Sequence, residues 1–296
     1  MRKAFIQLHI AVFLAGFTGI LGKLIMLNEG LLVWYRMLLT VITLAVLLYL
    51  KKELQRIPVK DMLAIGGVGV IVALHWVFFY GSVKYANVSV ALVCFSATGF
   101  FTALFEPLID RRRISMAEVG LGLLAIVGIY IIFDFHPQYA MGIVFGILSA
   151  MGCALFPIFN KSFLKRFNPR TLAFYELGGG WLALTLIIPF YLMAFPATYY
   201  LPTVKDWVWL LILAWACTVF SFDLQLNALK KISAFTANLT YNLEPVYGII
   251  FAFIFFHENE ELNRYFYLGL VFILLAIILQ MIRVTLQHKR SKVDQR

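Results

Sequence analysis

"LLVWYRMLLTVITLAVLLYL" occupies residues 31–50, twenty consecutive positions that carry a single charge, Arg36. About 20 apolar residues in helical form cross the ~30 Å hydrocarbon core of a bilayer, so the stretch reads as a membrane-spanning helix with a guanidinium inside it. Working outward, comparable runs fall near 4–24, 61–82, 88–108, 117–134, 140–160, 172–194, 207–226, 233–256 and 265–283, ten in all with the first. They are continuous, about twice the length of a barrel strand and free of period-2 alternation, so the expected spanning element is the α-helix.

Composition agrees. The chain has 296 residues, 62% hydrophobic and 14% charged, and a mean hydropathy of +0.88, more apolar surface than a soluble fold of this length buries. The opening "MRKAFIQLHIAVFLAGF" has the basic start of a signal peptide. It is too long for one and no clear small-residue cleavage site follows, so it is expected to be a retained first helix. With the N-terminus inside, twenty Lys and Arg fall in inner segments and four (Lys23, Lys84, Lys205, Arg264) in outer ones. That asymmetry predicts a multi-pass protein of the cytoplasmic (inner) membrane with both termini cytoplasmic. It also gives the net charge of +10 a topological cause and excludes nucleic-acid binding as its explanation. Cys94, Cys153 and Cys217 all lie within helices, as packing residues rather than a disulfide framework.

The two halves echo one another. "LLVWYRMLL" at 31–39 resembles "TLAFYELGG" at 171–179, aligning Tyr35 with Tyr175 and Arg36 with Glu176; Lys23 corresponds to Lys161 and Lys84 to Lys231. Five helices per half is an odd number, so the halves would insert in opposite orientations. The expected fold is an all-α membrane protein with ten transmembrane helices as two inverted five-helix repeats, 1–135 and 140–285, followed by a basic cytoplasmic tail, 286–296. Secondary transporters are often built this way, with the substrate site near the midplane.

Both halves resemble the EamA-type family of the drug/metabolite transporter superfamily over nearly the whole chain. The stretches that carry the resemblance are "WYRMLL" (34–39), "ALHWVFFYGSVKYANVSVAL" (73–92), "NKSFLKRFNPRTLAFYEL" (160–177) and "NLEPVYGIIFAFIFFHENEEL" (242–262). The first half departs from the second: "FSATGFFTALFEPLID" lacks a mid-run proline, and its Glu106–Pro107 pair lies near the inner end. Glu106 is therefore no symmetry mate of Glu244. The resemblance implies a ten-helix carrier of small metabolites, commonly an exporter of amino acids or related compounds.

Glu244 lies about twelve residues into its run, where a charged carboxylate costs roughly 2.5–3.5 kcal/mol. At 100° per residue Ala237, Thr240, Tyr241, Glu244 and Gly248 share a small or polar face, while Asn238 and Asn242 lie on another side. Pro245 has no N–H to donate, so a carbonyl near Tyr241 is expected to be freed for a ligand. The alternative is that Pro245 only kinks the helix and Glu244 packs as a neutral, hydrogen-bonded group.

Substrate or proton binding is assigned to Glu244, Tyr241, Thr240, Arg36, His75 and Trp76. Arg36 and Glu176, at matching depths from opposite surfaces, form a gate through ion pairs that make and break, or else snorkel to the interface as anchors. His75, in "ALHWVFF", is a proton relay or a structural hydrogen bonder. Trp34, Trp76 and Phe95 are expected to reach a central cavity, and "GGG" at 178–180 to pack closely against a neighbouring helix. Asp223 and His9, nearer the inner interface, are weaker candidates.

Enzyme chemistry finds no support. "HENEE" (257–261) has Glu where a zinc protease needs its second His, and "SFLK" (162–165) has no companion motifs. No phosphate-binding glycine loop points to ATP, and neither cofactor nor metal is implied. The reading is a secondary transporter, an exporter or exchanger of small organic metabolites such as amino acids working by alternating access; the alternative is a channel-like or lipid-flipping protein. Its partners are the small-molecule substrate and the lipid bilayer, with a homodimer allowed.

Overall fold

The computed structural model describes residues 2–111, 113–135, 137–221, 223–224, 228, 240 and 243–293, and these are helical nearly throughout, with no strand among them. In chain order the helices are α1 (Arg2–Gly16), α2 (Thr18–Leu24), α3 (Glu29–Lys51), α4 (Val59–Tyr85), α5 (Val88–Phe95), α6 (Thr98–Ile109), α7 (Met116–Phe135), α8 (Ala140–Phe163), α9 (Pro169–Ala194), α10 (Val204–Ala214), α11 (Glu244–Phe256) and α12 (Arg264–Val293). Six segments among the described residues are long and apolar enough to cross a membrane: Lys3–Leu24, Glu29–Lys51, Val59–Tyr85, Val88–Ile109, Ala140–Phe163 and Pro169–Ala194. Met116–Ile132, Glu244–Phe256 and Arg264–Leu279 are shorter apolar helices. Many side chains on their outer surfaces, such as Leu186 at 75% and Phe190 at 74% exposure, are apolar and uncovered. Such a surface belongs in lipid.

Three expected single helices are interrupted. The first run breaks at Phe17 between α1 and α2, and the fourth at Ser96–Ala97 between α5 and α6. The eighth continues from α10 into a π-helical turn, Trp215–Phe220. The reading of Pro245 as a mid-helix kink is corrected: α11 starts at Glu244, which puts Pro245 in the first helical turn. There its missing N–H costs nothing, because first-turn amides have no intrahelical partner. Tyr241, with Ala237, Asn238 and Asn242, lies outside the described residues, as does the carbonyl that Pro245 was expected to free.

α4 is the hub, packed on α8, α9, α5 and α3. Its crossing with α9 is closer than side chains allow elsewhere. A Cβ built on Gly69 would lie 1.8 Å from the Glu176 carbonyl oxygen, one on Gly179 would lie 2.4 Å from the Gly66 Cα, and one on Gly180 2.3 Å from the Gly69 carbonyl oxygen. Two of the three glycines in "GGG" thus pack against a neighbouring backbone as expected, while Gly178 faces open space. This difference makes a paired prediction. Gly69→Ala should lower thermal stability in detergent by about 1–3 kcal/mol through overpacking. Gly178→Ala should be neutral or stabilising, since alanine is the better helix former.

The two ends of the bundle are bonded differently. At the end carrying Arg56, Lys161 and Arg166, called the basic end below, Arg166 forks onto Asp61 at 2.7 and 3.0 Å. There Arg170 joins Glu53 at 2.7 Å and also Asp223, and Arg283 lies 3.3 Å from Glu118. Half-exposed pairs of this kind contribute about 0.2–1 kcal/mol each. At the opposite, Lys23 end, the polar groups are buried: Glu29 accepts from Tyr191 at 2.5 Å, and Asp206 caps α10 through Thr203 and accepts from Met26 N at 2.7 Å.

Candidate functional site

Arg36 stands seven residues past the first residue of α3, about 10 Å into the helix at 1.5 Å per residue. It does not snorkel: the residue is 5% exposed. Its guanidinium carbon lies 3.7 Å from the centroid of Trp76. Nη1 donates to Tyr80 Oη at 2.7 Å and Nε to Thr218 Oγ1 at 3.1 Å. Trp76 and Tyr80 are four residues apart on α4 and so share one face. Thr218 reaches Arg36 because the π turn shifts the register; its hydroxyl donates to the Leu213 carbonyl, five residues back, at 2.9 Å. No carboxylate lies within ion-pair distance of Arg36 among the described residues.

His75 is 6% exposed and fixed on α8. Its Nδ1 lies 2.9 Å from both the carbonyl and the hydroxyl of Ser149, donating to the first in one tautomer and accepting from the second in the other. The ring stacks on Phe95 with centroids 5.6 Å apart. Gly152 makes room for this contact, since a Cβ there would sit 2.9 Å from the His75 Cβ. Glu244, partly exposed, is the first residue of α11. A negative group is favoured at the N-terminal end of a helix. Among the described residues neither a hydrogen bond nor an ion pair holds its carboxylate.

These groups meet on one cavity of about 200 Å³, lined by Arg36, His75, Trp76 and Glu244 together with Phe79, Phe95, Ala15, Thr18, Cys217, Thr218 and Ser221. The irregular segments converge here. Ala15 and Thr18 flank the break after α1, Phe95 precedes the break after α5, Cys217 and Thr218 belong to the π turn, and Glu244 opens α11. Non-helical backbone at membrane depth is tolerated where it lines a cavity, and broken helices are how transporters build central sites.

Other expected residues lie elsewhere. Thr240 is buried at 8% exposure but does not line the cavity, and Tyr241 is outside the described residues. Glu176, 6% exposed, accepts from Asn160 Nδ2 at 2.8 Å. Among the described residues neither Arg36 nor Glu176 makes an ion pair. Trp34 is a correction: its Nε1 donates to Thr185 Oγ1 at 2.8 Å and its ring packs on Tyr35 and Trp181, away from the cavity. Phe95 and Trp76 do reach it.

Long apolar helices around a cavity bearing a cation, a carboxylate and aromatic rings define a multi-pass membrane protein. The chain belongs to the EamA-like transporter family, whose model matches residues 2–134 and again 140–282. It is similar to two proteins of Archaeoglobus fulgidus named uncharacterized transporters. One is 26% identical over 48% of this chain and 48% of that protein, and the other 30% over 40% and 43%. A third protein of that name, from Haemophilus influenzae, is 26% identical over 49% of this chain and 51% of its own. The chain spans about half the length of the curated relatives it matches. A solved crystal structure superposes with a TM-score of 0.64 at 14% identity, covering 96% of this chain and 98% of the other, and shares the fold.

Proposed function

We propose that the protein is a secondary transporter of the cytoplasmic membrane, an exporter or exchanger of small zwitterionic metabolites such as amino acids, working by alternating access. The observation that carries this reading is the shared cavity of Arg36 and Glu244. A cation with no ion-pair contact among the described residues suits a substrate carboxylate, an open carboxylate suits an ammonium, and Phe79 and Phe95 offer an apolar wall to the same cavity. Buried ionisable groups in a membrane are costly and by default functional.

Ten helices in two inverted repeats, 1–135 and 140–285, with both termini cytoplasmic, complete the proposal. The back-to-back matches of the family model support it. So does the packing: the fourth run meets the ninth through α5 and α11, and the fifth meets the tenth through α7 and α12. At the latter crossing Gly128 and Gly269 face one another, and a Cβ built on either would fall within 2.5 Å of the other's carbonyl oxygen. Arg36 and Glu176 also occupy the same position of α3 and α9, seven residues past Glu29 and Pro169.

Counterflow in proteoliposomes preloaded with pooled amino acids, nucleosides and other metabolites tests the reading. Saturable exchange of one pool is expected; flux that shows neither saturation nor counterflow would replace the carrier with a channel or a lipid-flipping protein. The same assay separates the two tryptophans. Trp76→Ala should raise the half-saturation concentration about tenfold or more, since a desolvated cation–π contact contributes ~2 kcal/mol. Trp34→Phe should leave it unchanged.

A further inference from the structure

We propose that α2 is a gate for the Lys23 end of the bundle, latched by Lys23 and Glu258 and coupled to the cavity through Tyr80, an inference that rests on the alternating-access reading above. α2 has seven residues and is separated from α1 at Phe17, whose N–H still bonds to Phe13 O at 3.1 Å while its carbonyl accepts from Leu21 at 3.2 Å. The chain there is a joint, bonded on both sides and free of a side-chain cap. Three contacts of this short helix bear on the cavity and the latch. Thr18 lines the cavity. Gly22 lies under the Tyr80 ring, so close that a Cβ would come within 2.3 Å of it. Lys23 Nζ donates to Glu258 Oε1 at 2.9 Å.

The latch is tightly made. Glu258 is fully buried, and besides Lys23 it accepts from Val88 N at 3.0 Å, Ser89 N at 2.8 Å and Ser89 Oγ at 2.7 Å. Lys23 also lies 4.4 Å over the Phe256 ring, so one lysine ties α2 to both α5 and the end of α11. Tyr80 connects the latch to the site, because its hydroxyl accepts from Arg36 while its ring occupies the space above Gly22. An anionic group that draws Arg36 away from Tyr80 releases that ring, and with it the surface on which α2 rests.

A related arrangement at the basic end is slack. Lys161, the counterpart of Lys23, lies 3.3 Å from Asp110 and 3.4 Å from Glu106, and all three are open to solvent, at 54%, 31% and 36% side-chain exposure. In each half the acid sits next to a left-handed residue that closes the fourth run, Arg111 or His257, both with φ 54°. One ion pair is buried and the other solvent-exposed, as expected of a carrier closed at its Lys23 end.

Labelling of Cys217, which faces the cavity, tests this. In full-length protein with Cys94→Ala and Cys153→Ala, reconstituted in vesicles of known orientation, a membrane-impermeant maleimide is applied from the Lys23 side. Lys23→Met should speed labelling about tenfold by populating the open state. Lys23→Arg, which keeps the cation and leaves the acceptor Glu258 in place, should stay near the parent rate. Lys161→Met, which weakens the opposite latch, should slow it. No change in Lys23→Met, or equal acceleration by Lys23→Met and Lys161→Met, would overturn the proposal, since the latter is what general loosening produces. Counterflow measured on the same vesicles reports separately on transport, so an absence of exchange counts against the carrier reading and leaves the latch result interpretable.

Discussion

Arg36→Met is expected to abolish substrate counterflow while leaving a folded, more thermostable protein. The guanidinium is buried with two neutral acceptors and an indole face but no anion within ion-pair distance among the described residues, so the empty protein bears part of the cost of a membrane-embedded cation, roughly 2.5–3.5 kcal/mol on insertion scales. Methionine removes that cost and fills similar volume. A bound carboxylate would lose a charge-assisted partner and face a desolvated site, a loss of about 3–5 kcal/mol, or ~10²–10⁴-fold in apparent affinity. Arg36→Lys should rescue little. A lysine is a point charge that cannot stack flat on Trp76 while donating in two directions to Tyr80 and Thr218. The checks are initial counterflow rate and melting temperature in detergent. Undiminished exchange in Arg36→Met would remove Arg36 from the translocation site.

Glu244→Gln should uncouple transport from a pH gradient yet leave substrate exchange measurable, if protons drive the carrier. The amide is nearly isosteric and keeps a polar group at the start of α11, so folding and cavity shape are preserved, but it cannot bind or release a proton. Exchange of substrate for substrate needs no net proton movement and should survive with a raised half-saturation concentration. Gradient-driven uptake should fall to the level seen without a gradient. An unchanged response to pH in this variant would eliminate Glu244 as the proton carrier and turn attention to His75, held by Ser149 on the same cavity.

The membrane character of the chain was legible because composition alone settles it; a run such as 31–50 has no other stable environment. Four of the cavity residues, Arg36, His75, Trp76 and Glu244, were legible for a related reason: an ionisable or indole group within an apolar run needs an explanation. Trp34 was misassigned although the helical period held the answer. It precedes Arg36 by two residues, about 200° around α3, so the two cannot face one cavity. Tyr80 was missed although it shares a face with Trp76 at a spacing of four. The breaks were hidden more deeply. Phe17 follows Gly16, a weak signal inside an apolar run, while the "WACTVF" of the π turn contains neither glycine nor proline, and its irregularity goes with tertiary bonding, Thr218 being held between Leu213 and Arg36. Pro245 drew attention to the right place for an incomplete reason: it opens α11 and does not interrupt it.

The most direct test of the central claim, that this cavity is where substrate is carried, is protection of Cys217 from a small thiol reagent in a protein retaining only that cysteine. The account predicts that the metabolite pool giving saturable counterflow protects Cys217, with half-protection at the concentration that half-saturates exchange, and that Arg36→Met abolishes both. Full labelling of Cys217 at concentrations that saturate counterflow would contradict it and move the transport path away from Arg36 and Glu244.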